Sequence, residues 1–285
     1  MSKKFILSAD NLGSSKASNQ AIFESYSYGL LRSATVRANA VFFDDVINSI
    51  IPQCPNLGIG ISLEALRGKS ICTDLSLLTD DNLNFNNSFL QLLIKSYNPK
   101  EIDFLDQIER EFRRQIEKLL SKSKITHIIL PIDLYLIPKI FKLTCRLAKE
   151  YQIPQVRILF EKLYFPPLFN KCLSIQYFIN VIKDLFLMCL SKYYRKIINE
   201  YDLLTNDYSL GILYQSKMNS FILSYGLSAI NTNHHVVEMI IYPCRYEEGL
   251  VDNHFDEFLL SKNLKIKEKL EDLGYEITNY AKKDF

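Results

Sequence analysis

A carboxylate and an amide, two groups that can take part in catalysis or ligand binding, lie side by side near the N-terminus. Asp10 and Asn11 follow a short apolar run at residues 5–7. Such runs are typical of buried strands, and α/β enzymes keep their chemistry at the carboxyl ends of parallel strands. A carboxylate there suits a general base, while an amide supplies a neutral oxygen. The pair therefore marks a working site, the remains of one, or a turn.

Alternating apolar and helical patterns place this pair in an α/β fold. Strands are predicted at residues 5–9, 33–39, 57–63, 126–130, 156–160 and 236–241, with helices between them. This alternation predicts a parallel sheet, and six or more such units favour a closed or partly closed barrel. The stretch 166–200 departs from the alternation and is predicted to be a helical insertion. Because no linker or repeat divides the chain, we expect residues 1–285 to form one domain.

Composition limits the classes of function. A net charge of +2 gives no argument for a nucleic-acid partner. Six scattered cysteines without metal-type spacing, and no recognisable signal peptide, predict a cytoplasmic protein with reduced thiols. The most apolar helical pattern, residues 173–194, contains Lys183 and Asp184, which argues against a membrane span. That helix is instead predicted to be buried or to form a homo-oligomer or docking surface.

Short motifs at the predicted strand ends follow one another in a fixed order. They are ADNLG (9–13), RSATVRAN (32–39), GISLEALRGK (60–69), Glu111 with Gln115 on a charged helix (100–121), THIILPID (126–133), IPQVR (153–157) and EMIIYP (238–243). In this order they resemble the YdjC family of carbohydrate deacetylases, which includes the chitooligosaccharide deacetylases. The resemblance covers nearly the whole chain and implies a degenerate, TIM-like (β/α) barrel of the deacetylase type.

The resemblance also implies a metal-dependent site that can be compared with this chain position by position. Family members remove an N-acetyl group from an amino sugar with a divalent metal such as Zn²⁺ or Mg²⁺. Their metal-binding carboxylate and two histidines correspond here to Asn11, Ser62 and Pro131, and their general-acid histidine to Tyr242. Asp10 keeps the general-base position. Because these residues supply no imidazole and no charged ligand, we predict no metal cofactor.

Other polar residues near the strand ends are candidates for binding a ligand. The predicted ligand-binding set is Asn11, Asn39, Ser62, Glu64, Asp133, Arg157 and Tyr242. Arg157 suits a sugar hydroxyl, a carboxylate or a phosphate, and the alternative is a salt bridge to Glu161 or Glu238. Oxygens of Asp10, Glu64, Asp133 and Glu161 suit a hard cation, although solvated loop acids are the simpler interpretation.

Two functions fit this pattern. The first is a YdjC-like protein that has lost metal-dependent deacetylation and binds a small carbohydrate, a glycolipid or a partner protein. The alternative is an active hydrolase that removes acetyl groups from N-acetylated sugars or glycolipids with a site rebuilt around Asp10. Metal content and acetate release distinguish the two.

Overall fold

One sheet of eight parallel strands organises the chain in the computed structural model, which describes residues 3–100, 102–166, 175–230, 233–246 and 253–281. The strands are β1 (Lys3–Leu12), β2 (Ser33–Val36), β3 (Gly58–Ser62), β4 (His127–Ile129), β5 (Gln155–Val156), β6 (Tyr208–Leu210), β7 (Val236–Ile241) and β8 (Tyr275–Thr278). Their order is β5-β4-β3-β2-β1-β7-β6, and β8 pairs with the first half of β1. The predicted α/β barrel architecture is confirmed.

Helices cover the outside of this sheet. They are α1 (Lys16–Tyr28), α2 (Phe43–Asp45), α3 (Ile51–Gln53), α4 (Phe89–Tyr97), α5 (Ile102–Leu120), α6 (Ile132–Tyr135), α7 (Pro138–Glu150), α8 (Ile175–Glu200), α9 (Ser220–Ala229), α10 (Asn253–Ser261) and α11 (Leu264–Asp272), with a π-helical turn at Val46–Ile50. Helix α8 forms the later part of the predicted insertion, and residues 167–174 lie outside the described residues. Within the described ranges, no helix has the length and apolar character that crossing a membrane requires.

Backbone and side-chain hydrogen bonds join the two ends of the curled sheet. Gln155 and Leu204 form an isolated parallel bridge. Next to it, the Asn206 amide accepts a hydrogen bond from the backbone N–H of Ile158 (3.0 Å) and donates to its carbonyl (2.9 Å). The Ser209 hydroxyl donates to the same carbonyl (2.9 Å). The backbone N–H groups of Val156 and Ser209 also donate across this gap, to Leu204 (3.1 Å) and Phe160 (2.8 Å). The barrel is therefore partly closed, by side chains and a few backbone hydrogen bonds in place of a full strand ladder.

The charged helix predicted at residues 100–121 is α5, and its apolar stripe explains its position. Phe104, Ile108, Phe112, Ile116 and Leu119 recur every three or four residues and are all fully buried. This period matches one face of a helix, and burying each such side chain stabilises the fold by about 1.5–3 kcal/mol. The chain pattern did not predict β6, β8, α4, α9 or α10, because short elements carry too few residues to show a period.

A close approach of two strands explains one of the two glycines in β3. A Cβ atom on Gly60 would lie 2.4 Å from the His127 ring, which is buried between that backbone and Tyr280. The His127 and Tyr280 rings stack with centroids 4.1 Å apart. Burial and the nearby Arg157 charge lower the pKa of His127 well below its usual value, so the imidazole stays neutral. His127 is therefore a core residue.

Replacing Gly60 by Ala tests this packing. We expect the free energy of unfolding to fall by about 1–3 kcal/mol, because the new methyl group overlaps a buried ring that cannot move. Chemical denaturation monitored by circular dichroism measures the change. Gly58→Ala is the matched control in the same strand, since its Cβ would meet Asn279 at 3.2 Å. Equal losses in the two variants would contradict the assignment of Gly60 to ring packing.

Candidate ligand-binding cleft

The carboxyl ends of the strands surround an open cavity of about 320 Å³. Its polar lining consists of Asp10, Asn11, Ser14, Arg37, Ser62, Glu64, Arg67, Asp133, Arg157, Gln176, Lys183, Gln215 and Tyr242. The predicted ligand-binding residues lie in this lining with the exception of Asn39. A cavity of this volume suits a small molecule, and it lies where parallel α/β folds place their ligands.

A buried ion cluster forms the floor of the cleft. The Arg157 guanidinium binds both oxygens of Asp10, through Nη1 to Oδ2 and through Nη2 to Oδ1 (2.9 Å). It also donates from Nε to Glu238 Oε2 (2.7 Å) and from Nη2 to Ser8 Oγ (3.2 Å). The arginine side chain is only 1% exposed. The structure therefore gives Arg157 the alternative role, a salt bridge to Glu238, with Asp10 as its second partner.

This cluster balances two carboxylates against one guanidinium. Burial raises the pKa of Glu238, and the Arg157 charge beside it opposes the rise. The Tyr280 hydroxyl donates a further hydrogen bond to Glu238 (2.5 Å). Asp10 receives an additional hydrogen bond from Thr35 (3.2 Å) while its side chain still borders the cleft. The cluster thus orients Asp10 and fixes it to the strands on either side.

The residues at the implied metal-ligand positions do not fit a divalent cation. The Asn11 amide nitrogen donates to Ser18 Oγ (3.1 Å) and to the Pro243 carbonyl (3.0 Å), while its oxygen has no partner among the described residues. Ser62 offers a neutral hydroxyl, and Pro131, just before α6, offers no side-chain donor atom. Among the described residues, no group of three or more His, Cys, Asp or Glu side chains is placed to hold a metal ion.

Glu64 holds the loop that follows β3. Its buried Oε1 atom accepts hydrogen bonds from the backbone N–H groups of Ala65 (3.0 Å) and Leu66 (2.8 Å). Its Oε2 atom lies 3.7 Å from Arg37, and burial raises the pKa of its carboxyl. On α5, the Gln115 amide pairs with both backbone groups of Glu64, at 2.8 and 2.7 Å. This position makes Glu64 a buried loop cap, so the simpler sequence interpretation as a solvated acid is wrong here.

The rim of the cleft carries a cluster of one acid and two bases. Asp133 accepts a hydrogen bond from Lys183 of α8 (2.5 Å) and lies 3.8 Å from the exposed Arg67. Asn39 donates to the backbone carbonyls of Arg67 (3.1 Å) and Lys69 (3.0 Å). Asn39 therefore supports the rim loop from outside the lining, which corrects its expected position in the site. Lys183 was not predicted as a site residue, because only the tertiary fold brings α8 to the cleft.

Glu161 shapes another wall of the cleft. Its fully buried carboxylate accepts hydrogen bonds from three consecutive backbone N–H groups, those of Gly211 (3.1 Å), Ile212 (2.6 Å) and Leu213 (2.9 Å). Gly211 has a φ of +99°, and a Cβ there would lie 2.4 Å from the Ile240 carbonyl oxygen. Glu161 is therefore neither a solvated loop acid nor a partner of Arg157, as the sequence had suggested, but the residue that folds this loop.

Tyr242 takes the position of the implied general acid. Its hydroxyl accepts a hydrogen bond from Gln215 (2.9 Å), and its backbone N–H donates to Glu257 (2.5 Å). Burial raises the pKa of the Tyr242 phenol, so it keeps its proton at neutral pH. The phenol can donate a hydrogen bond to a ligand, but it is a much weaker acid than an imidazolium.

A buried carboxyl group lies behind this wall. Asp184 on α8 is fully buried, and neither of its carboxyl oxygens has a hydrogen-bond partner among the described residues. Burial raises the pKa of Asp184 to about 8, with a smaller contribution from the charge of Glu161. Burial also raises the pKa of Glu161 to about 7. Asp184 is therefore held mainly as the neutral acid at pH 7.

These features define a parallel α/β barrel protein with a polar cleft at its strand ends. The chain belongs to the YdjC-like protein family, whose sequence model matches residues 4–275. It is similar to a carbohydrate deacetylase of Brevibacillus brevis, with 28% identity over 197 residues covering 64% of this chain and 76% of that protein. A carbohydrate deacetylase of Clostridium beijerinckii is 31% identical over 152 residues, which cover 53% of this chain and 58% of that relative.

A solved structure supports the same fold. The crystal structure of an Enterococcus faecalis V583 protein, described as a candidate cellobiose-phosphate cleavage protein, superimposes with a TM-score of 0.72. The match covers 98% of both chains at 20% sequence identity, so it bears on the fold alone.

Removing the Arg157 charge tests the ion cluster. In Arg157→Met, two buried carboxylates lose their cation, and we expect the free energy of unfolding at pH 8 to fall by about 3–5 kcal/mol. The pKa of Glu238 should rise further without Arg157, so the folded state binds protons that the unfolded state releases. The variant should therefore recover stability relative to wild type as the pH falls from about 8 to about 5.

Urea denaturation at the two pH values measures this recovery. Arg113→Met is the control, since Arg113 pairs with Glu109 and Glu150 at the surface, where such pairs contribute about 1 kcal/mol or less. A loss in Arg157→Met that is the same at both pH values would contradict the charge-balance explanation.

Asp184 predicts a second pH effect. The pKa of Asp184 is about 8 in the folded state, so the protein takes up a proton when it folds between about pH 4 and pH 8. The free energy of unfolding therefore declines as the pH rises through this window. Asp184→Asn removes this term, so at pH 8 it should be more stable than wild type by about 1 kcal/mol or more, with a smaller difference at pH 5. Thermal denaturation across this range measures the difference, and Asp81→Asn, at an exposed acid, should leave the profile unchanged. Parallel profiles for wild type and Asp184→Asn would contradict the raised pKa.

Proposed function

We propose that this chain is a carbohydrate-binding member of the YdjC-like family that has lost metal-dependent deacetylation. The observation that carries the proposal is the donor set at the strand ends. Asn11, Ser62 and Pro131 offer an amide, a hydroxyl and no donor at the implied ligand positions, while Arg157 binds both oxygens of Asp10. These positions supply neither the imidazoles nor the free carboxylate that a water-activating metal needs.

The remaining lining suits a sugar. Arg37, Arg67 and Lys183 supply cationic hydrogen-bond donors, and Asp133 supplies acceptors next to Arg67 and Lys183. The protonated Tyr242 phenol adds a hydroxyl group, and its aromatic face packs well against carbohydrate C–H surfaces. Similar proteins carry the name carbohydrate deacetylase, which supports a sugar or the sugar part of a glycolipid as the ligand class.

Free thiols agree with a reducing compartment, and we propose the cytoplasm. Cys54, Cys72, Cys145, Cys189 and Cys244 form no disulfide within the described chain. Burial raises the pKa of the Cys54 thiol to about 11, which leaves it unreactive at neutral pH.

Calorimetric titration with N-acetylglucosamine oligosaccharides and with cello-oligosaccharides tests the binding function. We expect one oligosaccharide series to bind, and Arg67→Ala to weaken that binding about tenfold, the value of one charged hydrogen bond. Arg114→Ala is the matched control, because its side chain is 66% exposed against 71% for Arg67 and lies away from the cleft. Equal affinity of the two variants would contradict binding at this rim.

Metal analysis and acetate release test the loss of catalysis. We expect the purified wild type to contain no stoichiometric Zn, Ni, Mg or Ca and to release no acetate from N-acetylated oligosaccharides. A triple variant, Asn11→Asp with Ser62→His and Pro131→His, should gain zinc measurable by mass spectrometry, whereas Asn11→Asp alone should not. Stoichiometric metal in the wild type, with acetate release abolished in Asp10→Asn, would overturn the proposal and establish the alternative of a hydrolase rebuilt around Asp10.

A further inference from the structure

Two arginines at the rim of the cleft hold hydrogen-bond donors that the described chain does not use. Arg37 directly follows β2, Arg67 lies in the loop after β3, and both line the cavity. Their nearest carboxylates are Glu64 at 3.7 Å and Asp133 at 3.8 Å, beyond the usual hydrogen-bond length of about 2.7–3.2 Å. Every other arginine of the described residues except Arg245 donates at least one hydrogen bond from its guanidinium. The two rim guanidiniums are therefore available to a ligand.

The backbone around these two arginines is tied together. Asn39, two residues after Arg37, donates a hydrogen bond to the backbone carbonyl of Arg67 (3.1 Å). Between Arg37 and Asn39, the Ala38 carbonyl accepts a hydrogen bond from Lys118 of α5 (2.7 Å). Both arginine side chains therefore start from backbone that is already fixed, and a preformed site of this kind loses less conformational entropy when a ligand binds.

Glu64 lies close to both arginines without using their donors. Burial raises the pKa of its carboxyl, and the charges of Arg37 and Arg67 oppose that rise. Its Oε1 atom is already occupied by the backbone N–H groups of Ala65 and Leu66. Both guanidiniums therefore act on the same small region of the cleft, where a ligand can reach the two of them together.

The charges of the cleft separate into a rim and a floor. The rim carries three cations and two carboxylates, which leaves a surplus of one positive charge. They are Arg37, Arg67, Lys183, Glu64 and Asp133. On the floor, the guanidinium of Arg157 lies between two carboxylates, which leaves a surplus of one negative charge. An anionic group is therefore attracted to the rim and repelled from the floor, where neutral hydroxyl groups fit better.

Given the proposed carbohydrate-binding function, on which this inference rests, we propose that the ligand is a sugar acid whose carboxylate binds between Arg37 and Arg67. The planar fork of a guanidinium matches the two oxygens of a carboxylate. One carboxylate supplies a single negative charge, which balances the surplus at the rim. A phosphate monoester carries about −1.5 to −2 charges at pH 7, which exceeds that surplus next to Glu64 and Asp133. The uncharged part of the sugar then faces the floor and Tyr242.

Calorimetric titration with matched disaccharides tests this charge preference. Cellobiose and the disaccharide of N-acetylglucosamine are each titrated as the neutral sugar, as the derivative with a carboxylate at the terminal C6, and as the derivative with a phosphate there. We expect a carboxylate derivative to bind about tenfold tighter than its neutral sugar, since one charged hydrogen bond contributes about that factor. The phosphate derivative should bind less tightly than the carboxylate, and added salt should reduce the preference for the carboxylate.

Different results would overturn this proposal and the carbohydrate-binding function. Equal affinity for the neutral sugar and its carboxylate derivative would overturn the sugar-acid proposal and leave carbohydrate binding standing. Tighter binding of the phosphate derivative would also refute the preference for a carboxylate. Failure of all these compounds to bind would overturn both proposals.

Substitutions of Arg37 locate the carboxylate. Arg37→Gln removes the charge, so the ratio of carboxylate to neutral affinity should fall from about tenfold to about twofold or less, whereas Arg37→Lys keeps the charge and should retain part of the preference. Arg113→Gln is the matched control with a wild-type ratio, because its side chain is 27% exposed against 34% for Arg37 and it does not line the cleft. Circular dichroism checks the fold, and the ratio compares two ligands on one sample, so a partly unfolded fraction cancels. A wild-type ratio in Arg37→Gln would overturn the proposed position of the carboxylate.

Discussion

The Arg157 guanidinium, buried between two carboxylates, is the constraint on which the arrangement of the cleft depends. Asp10 lies near the end of β1, Arg157 directly after β5 and Glu238 within β7, so one side chain joins three strands. Two buried carboxylates without a cation would destabilise the fold by several kcal/mol. The strand ends that form the floor of the cleft are therefore held together by charge as well as by the backbone ladder.

Other buried acids shape the walls of the cleft by binding backbone N–H groups. Glu64 holds the loop after β3, Glu161 holds residues 211–213, and Glu257 accepts from Met218 and Tyr242. In each case the carboxylate satisfies backbone donors that a tight loop would otherwise leave buried and unpaired. Glu64 and Glu161, which the sequence offered as ligands for a hard cation, are thus committed to structure. What faces the cleft is a set of hydrogen-bond donors and acceptors suited to holding a polar ligand.

Helix α8 connects this cleft to the outside of the molecule. Its inner side supplies Lys183 to the rim and Asp184 to the buried wall, while Ile182 and Phe186 are exposed on its outer side. A helix that packs on a barrel buries only one of its sides against it. The same element therefore contributes both to the rim of the cleft and to the buried wall behind it.

The sequence by itself determined the strand and helix alternation, the position of the cleft at the strand ends and the residue types at Asn11, Ser62 and Pro131. Those features depend on local pattern and on the chemistry of single residues, which the sequence states directly. Only the tertiary structure decided the partners of Arg157, because Asp10 and Glu238 lie 147 and 81 residues away along the chain. The tertiary structure also showed that Asn39 and Glu161 hold loops and that Lys183 lies at the rim of the cleft. Those roles depend on which distant side chains meet once the sheet curls, and a local pattern carries no information about that meeting.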